Sequence, residues 1–575
     1  MSILNSAPSR ASLGAQPGAK VVRFQLDFNL KSLLLDCLNE KDNKLYEELV
    51  CKIRDVGQEI RDDDLLQLLK EARGCISIID RNFRLFVQVV LILQWTHRCE
   101  EVVNEYKGFL QDLCAAHNYY TKLVTDHLIS SFKTDTEVWK DGVPSEKSRQ
   151  CFEHIHQVIL SILTVIPMSR DILLSSIQSC SPYIKKPAHE HEAYMYNILL
   201  ISIKIPQLRY ELLNFVITKI IALDVNSPKS EIERALETEE HGGVFHLEEN
   251  TSHQISQTLD VCMLMMFKYI HSFCHENDNL VIEKLKTLYL DLVKIFDNMI
   301  LPTHSTHYVQ YLLFYLLGLK PALSVSFLKT LWSKLNNPSV PSVLRQAAVY
   351  YIASLLARAS YVSIISVQEM LLDMAVWIHS YIVNQDESSN ISSQDMRVHT
   401  VFYSICQSLF YVIAFRYKEF IQTKGGLAFL QGLNLSKIVT SRLNPLKVCM
   451  PVIVSHFASV ARAYQLAYCY TVIERNSRST LPQVYMDSTG ATTLVASAHI
   501  DTYFPFDPYL LPSSKPYITP FYREYIGPQD NDVTETNQQN KTENDDDDDF
   551  LVSSTPTESP ALETFSYSTS PGFLQ

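Results

Sequence analysis

Glycine is scarce in this chain: 15 residues in 575, where about 7% is usual. Phosphate-binding α/β enzymes use glycine where backbone amides must close on a nucleotide. Neither G-x-G-x-x-G nor G-x-x-x-x-G-K-[ST] occurs, so the signatures of Rossmann and P-loop enzymes are missing. The G-x-S-x-G elbow that presents a nucleophilic serine is missing too. The 12 cysteines stand singly, with no C-x-x-C pair. They read as small core hydrophobes of a reduced, intracellular protein. Long apolar runs are also lacking. "LFVQVVLILQW" at 85–95 falls well short of the roughly 20 residues that span a bilayer. The opening "MSILNSAPSRASLGAQPGAK" has no apolar core of a secretory leader. The expectation is a protein that is not an enzyme, with no cofactor, no membrane association and no small-molecule substrate.

Acidic charge is abundant but confined. The net charge is −13, yet Pro528–Gln575 alone holds eleven acidic residues and one lysine, a net of −10. The rest carries only −3. A nearly neutral body offers no global basic field for nucleic acid.

Helical periodicity fills the stretch from about 25 to 475. Ser145 precedes "EKSRQCFEHIHQVILSIL" and Thr303 precedes "HSTHYVQYLLFYLLGL", both as helix caps. "SVLRQAAVYYIASLLARAS" at 342–360 repeats Val343, Leu344, Ala347, Ala348, Tyr351, Ile352, Leu355, Leu356 and Ala359 at three- and four-residue steps. Ala353 and Ala357 flank that face, as expected of a helix packed on more than one side.

"ILSILTVIPMSRDILLSSI" (159–177) aligns without gaps on "ILLISIKIPQLRYELLNFV" (198–216), 39 residues later. Ile159/Ile198, Ile162/Ile201, Ile166/Ile205, Pro167/Pro206, Arg170/Arg209 and Leu173/Leu212 coincide. Each copy reads helix, Ile-Pro, helix, since proline ends one helix and can open the next. That spacing is the scale of HEAT repeats. The fold expected is all-α: an α-solenoid of HEAT-like helical repeats over 21–480, with a disordered N-terminus at 1–20. Two insertions interrupt it, a mobile acidic one at about 226–256 and a shorter one at 384–396. Over 481–527 the texture turns extended; "DTYFPFDPYLLPSSKPYITPFY" (501–522) has prolines that deny it a helix and aromatics too dense for a free tail. It is expected to pack on the body, burying Tyr503, Phe504 and Phe506. A disordered acidic tail follows at 528–575.

Several unusual segments occur in order: "KVVRF" (20–24), "LPTH" (301–304), "LRQAAVYYIASLLARA" (344–359), "LNPLKVCMP" (443–451), "YQLAYCYTVIERN" (464–476), "DTYFPFDP" (501–508) and "DDDDDFL" (545–551). With them the chain resembles the RNA polymerase I-specific transcription initiation factors of the Rrn three family, known in mammals as transcription intermediary factor one-A. The resemblance implies a non-enzymatic HEAT-repeat adaptor. Its partners would be RNA polymerase I and a promoter-bound selectivity or core factor at ribosomal RNA genes. It implies action in the nucleus, at the nucleolus, and tuning by phosphorylation. Two departures stand out. The acidic Ser-Asp run of mammalian members is replaced by "TDTEVWKDGVPSEKS", and their Ser/Thr-Pro step just after the Val-Pro of the first repeat hairpin by "IPMSRD". The alternative class is a generic α-solenoid scaffold of nuclear transport or coat type, which co-purifying partners would distinguish.

Candidate sites follow from composition and resemblance together. Thr555, Ser559 and Ser570 each precede proline and are candidate phosphosites. Ser169, Ser175 and Ser176, with Ser161, Ser179 and Ser181, crowd one hairpin, a surface that added phosphate would turn against a partner. Arg345, Arg358, Lys329 and Lys334 form a candidate basic surface for an acidic partner or a weak DNA contact. Lys20, Val22 and Phe24 of "KVVRF" fit a docking motif read by strand addition. His154/His156, His189/His191, His271/Cys274/His275 and His304/His307 invite a metal reading, but no matching second pair accompanies any of them, so they read as ordinary core or surface side chains.

Overall fold

The computed structural model describes residues 29–39, 43–133, 135, 137, 139, 142–227, 229, 232, 249–387, 398–479, 484–486, 492–494, 500 and 503–525. The 1–20 stretch, Lys20, Val22 and Phe24, most of both insertions, and the tail with Thr555, Ser559 and Ser570 lie outside them. Within them the fold is all-α. The strands form two antiparallel hairpins, His275–Glu276 with Asn279–Leu280 and Val484–Met486 with Thr492–Leu494. The chain divides into two compact units, 1–212 and 213–575.

In the first unit the repeat seen in sequence is repeated in backbone geometry. Ser145 caps helix Glu146–Val165, its Oγ accepting from the Ser148 amide at 3.1 Å. The helix ends at Ile166 (φ −122°, ψ 88°), and helix Ala188–Lys204 ends at Ile205 (φ −126°, ψ 81°). Both isoleucine amides bond one turn back, to Ile162 and Ile201, at 2.8 Å. Three residues on, the amides of Ser169 and Leu208 return to Ile166 and Ile205 at 2.9 and 3.0 Å. The following prolines force this, because the residue before proline is driven out of the helical region. Ile159/Ile198, Ile162/Ile201 and Leu173/Leu212 are buried in both copies.

One buried polar link joins the two copies. His156 Nε2 meets Asn197 Oδ1 at 2.8 Å. Because Asn197 Nδ2 already donates to the Ala193 carbonyl at 2.8 Å, its oxygen accepts and the histidine nitrogen carries the proton. Burial pushes the imidazole down to about 4, so at neutral pH it is an uncharged donor.

In the second unit, helix Ser342–Arg358 is buried on all sides from Ala348 to Arg358. Helix Pro321–Asn336 and helix Thr400–Gln422 pack against it. A third side is covered by the extended segment 503–525 rather than by another helix: the Phe506 amide donates to Ser354 Oγ at 3.0 Å, and Phe504 lies 5.5 Å from the Tyr350 ring. This is where Ala353 and Ala357, both fully buried, are needed. Val343 falls off the core face, 71% exposed in the first turn, because the packed neighbours begin only one turn later.

The 503–525 segment carries five prolines and cannot form a regular ladder. It is not extended throughout, since Lys515–Ile518 and Thr519–Phe521 wind into short helical turns whose prolines sit in the first turn, where no N–H is needed. Side chains of the body hold the stretch before those turns. Asp260 accepts the amides of Ser513 and Ser514 at 2.7 and 2.9 Å. Gln310 donates to the Pro505 carbonyl at 2.6 Å, and Lys229 pairs with the buried Asp507 at 3.4 Å. Two amides are placed on main chain: Ser360 to the Phe521 carbonyl at 2.9 Å and Arg523 to the Arg358 carbonyl at 2.7 Å. Phe504 and Phe506 are buried, whereas Tyr503 is half-buried, its hydroxyl on Thr306. Gly318 marks the closest approach; a Cβ there would stand 2.8 Å from the Phe521 ring.

Thr303 does not cap a helix. It sits at the end of the preceding turn, its hydroxyl donating to Met299 at 2.6 Å, and the helix begins at Tyr311. The reason is Asp224. Its buried carboxylate takes the amides of His307 (3.0 Å), Tyr308 (2.9 Å) and Val309 (2.9 Å), with Ser305 at φ 64° turning the chain toward it. Burial pushes this carboxyl up to about 6, against the pull of those amides.

Two outcomes follow. Ala348→Trp should lower stability by roughly 1–3 kcal/mol through overpacking; denaturant unfolding with an unchanged midpoint would place Ala348 outside the helix junction. Asp224 titrates at about 6 when folded and near 3.9 unfolded. The folded state therefore binds the extra proton between those values, and the Asp224 contribution falls as pH rises through that window. The stability of wild type minus that of Asp224→Asn should decline from about pH 4 to about pH 6, at up to ~1.4 kcal/mol per unit. A difference that is flat or rises would contradict the buried-acid assignment.

Candidate interaction surface

Among the described residues of the first unit, the most exposed large apolar side chain lies at the hinge of the first repeated hairpin. Between helix Glu146–Val165 and helix Ser169–Ser179, Met168 is 84% exposed and Val165 is 58% exposed. The helix ends at Ile166, and Pro167 and Met168 form the turn between the two helices. Tyr183, just past the second helix, is 68% exposed, and Arg170 and Lys185 are exposed beside them in sequence. Methionine is flexible and polarizable, a side chain that adapts to a partner surface. Sequence reading passed over Met168 and Tyr183; the signal was there in a large apolar residue directly after a helix-ending proline.

The serines of this hairpin separate into two groups. Ser175 and Ser179 are exposed, and Ser161 and Ser181 are half-buried. Ser169 and Ser176 are buried and leave the candidate set. Ser169 donates to the Ile166 carbonyl at 2.6 Å, closing the hinge turn. Ser176 lies on the same helix face as Leu173 and Ile177, turned into the core. Their neighbours in sequence suggested a shared exposed face, but helical spacing puts positions 175 and 176 on different ones.

The four-residue basic surface does not assemble. Arg358 is buried, 2% exposed, with its guanidinium 4.8 Å from the Phe415 ring centre and 5.4 Å from that of Tyr522. Its expected solvent face is occupied by the 503–525 segment. Lys334 pairs with Asp297 at 2.8 Å, and Arg345 donates its Nε to the Leu335 carbonyl at 2.6 Å. Lys329 is exposed.

The histidines have packing partners. His154 Nδ1 lies 3.0 Å from Lys107 Nζ, His189 Nε2 bonds the Asp135 carbonyl at 3.0 Å, and His271 stacks on His275 with ring centres 4.3 Å apart. Among the described residues no group of three or more His, Cys, Asp or Glu side chains is placed to hold a metal ion. What the hairpin exposes is a methionine, a valine, a tyrosine and serine hydroxyls.

Comparison with known proteins agrees on one lineage. The chain matches the family described as "RNA polymerase I specific transcription initiation factor RRN3" over residues 29–251 and 246–530. It is 33% identical over 576 residues to the Mus musculus RNA polymerase I-specific transcription initiation factor RRN3, covering 94% of this chain and 87% of the relative. It is 29% identical to the Schizosaccharomyces pombe factor of that name, covering 80% of each. The crystal structure of RNA polymerase I transcription initiation factor Rrn3 shares its fold, with a TM-score of 0.69 at 22% identity, covering 86% of this chain and 97% of that one. This chain belongs to the RRN3 family of RNA polymerase I-specific transcription initiation factors.

Proposed function

We propose that the chain is a non-enzymatic adaptor, built of HEAT-like repeats, that binds RNA polymerase I and bridges it to promoter-bound factors at ribosomal RNA genes. It acts in the nucleus, at the nucleolus. The observation that carries this reading is the family match along nearly the whole chain, residues 29–251 and 246–530. The repeated hinge geometry supports the HEAT-like description, since two consecutive hairpins end their first helices with the same amide bonds.

The polymerase-facing surface in this reading includes the hinge of the first hairpin, with Val165 and Met168 as apolar anchors and Ser175 and Ser179 as the points of control. A phosphate there adds about −1.5 to −2 charges on the same hairpin as side chains whose burial against a partner needs a dry surface. Because these hydroxyls are exposed, phosphorylation would change binding and leave folding alone. Thr555, Ser559 and Ser570 are a second set of control points, argued from sequence only. The tail that holds them is already acidic, so added phosphate modulates its engagement with partners.

The measurement is capture of purified RNA polymerase I by the full chain. Met168→Asp and Ser175→Asp/Ser179→Asp should each reduce capture about tenfold or more, with melting temperatures within about 1–2 °C of wild type, as exposed substitutions cost little stability. Ser175→Ala should bind like wild type. Undiminished capture by the aspartate variants would remove the hairpin from the interface. Thr555/Ser559/Ser570→Ala should melt like wild type and differ from it in promoter recruitment from growing-cell extract; equal recruitment would make those three sites bystanders.

A further inference from the structure

The second unit carries a basic surface that the charge of the whole chain conceals. Residues 434–479 hold six lysines and arginines and a single acid, Glu474, a net of +5 in a chain of −13. Glu474 is taken by Arg478. Lys437, Arg442, Lys447, Arg462 and Arg475 are all exposed, and none has an ion-pair partner among the described residues.

The fold gathers these residues. Asn444 and Asn476 exchange amide hydrogen bonds at 2.7 and 3.1 Å. That clasp joins the stretch that carries Arg442 and Lys447 to helix Cys469–Ser479, which carries Arg475. Ser436 donates to the Leu466 carbonyl at 3.3 Å, which brings Lys437 to the loop that presents Tyr468. Tyr468 is 86% exposed and Tyr470 47%, and Arg462 stands 5.6 Å from the centre of the Tyr470 ring. Unpaired cations therefore stand beside two exposed aromatic rings.

The extended segment leaves the body next to this surface. Its last described residue, Tyr525, bonds His456 Nδ1 at 2.7 Å through its hydroxyl. His456 lies on helix Pro451–Ala463, the helix that also carries Arg462. The chain beyond Tyr525 holds "DDDDDFL" at 545–551, five aspartates followed at once by an apolar pair. Asp545 is 20 residues past Tyr525. Twenty residues reach at most about 70 Å. Covalent attachment within that reach raises the local concentration of the aspartates above that of a separate chain.

We propose that Asp545–Asp549 dock in cis on Lys437, Arg442, Lys447 and Arg475, with Phe550 and Leu551 against Tyr468 and Tyr470. The order of charges and apolar groups is complementary: an acidic run then an apolar pair, facing cations then exposed rings. The tail thus occupies a surface that an external polyanion would otherwise take. Phosphate on Thr555 or Ser559, a few residues further on, adds negative charge and tightens the closure. The contact is exposed, so salt weakens it. This goes beyond polymerase binding and is measured without polymerase.

Zero-length carbodiimide cross-linking of the full chain tests it, read by mass spectrometry on a mixture of isotopically light and heavy protein. Links from Lys437 or Lys447 to Asp545–Asp549 should form within single chains, drop at least about fivefold in 0.5 M salt, and vanish when the five aspartates are changed to asparagine. Absence of these links, or links spread evenly over other exposed lysines, would overturn the proposal. Light-to-heavy links would assign the contact to a second copy and overturn closure in cis. A fluorescent 20-base-pair DNA duplex serves as the competing polyanion. It should bind the five-asparagine variant about tenfold more tightly than wild type, and adding Arg442→Glu/Lys447→Glu/Arg475→Glu should remove that gain. Equal DNA affinity of wild type and the five-asparagine variant would mean an uncovered surface and would overturn the proposal.

Discussion

A proline-rich segment can satisfy only part of its own backbone, and the packing of the second unit reflects that constraint. Short turns at Lys515–Ile518 and Thr519–Phe521 bond some of the 503–525 backbone to itself, but the stretch before them has no partner strand and finds its acceptors and donors on the body. Asp260 holds two consecutive amides, Gln310 holds a carbonyl, and Lys229 meets Asp507. Each is a side chain that would be costly to bury alone and is stable only as part of a pair. The aromatic packing depends on this pinning. Phe506 can sit 5.5 Å from Tyr311 and 5.0 Å from Phe314 because the polar backbone on either side is already accommodated.

The same dependence explains the burial of two arginines. Arg416 donates to the Leu356 carbonyl at 2.6 Å and pairs with Glu419, which also receives Arg523 of the extended segment. Arg358 lies against Phe415 and Tyr522, the second ring belonging to that segment. Planar guanidinium groups suit both uses, with a fork for carbonyl and carboxylate and a flat face for an aromatic ring. The helical core and the extended cover are thus joined by cations as well as by apolar surface.

What could be read in the sequence was whatever depended on near neighbours. The Ile-Pro hinges were legible because proline restricts the residue before it, and that rule needs no tertiary information. The Ser145 cap was legible for the same reason. The burial of Phe504 and Phe506 followed from aromatic density among prolines. Features decided by distant residues were not legible. Thr303 has the look of a cap, but a carboxylate about 80 positions earlier claims the amides that the helix would have used. Arg358 sits at the polar edge of its helix, and Phe415 of a distant helix together with Tyr522 of the returning segment make that edge interior. Ser175 and Ser176 are neighbours in sequence with opposite exposure. The basic stretch 434–479 was legible by counting and was masked by the charge of the whole chain.

The position of the extended segment in the chain bears on how the protein is made. Helix Thr400–Gln422 leaves the ribosome roughly 100 residues before Tyr525 does. At about 5–20 residues per second, the aromatic groove of Tyr311, Phe314, Tyr350 and Tyr351 stands uncovered for about 5–20 seconds of synthesis. Every nascent chain passes through that interval with a sticky, half-built core. A chain released before Tyr525, by a premature stop or a frameshift, never leaves it, and cellular quality control would meet a nearly complete set of helices with its largest aromatic surface still open.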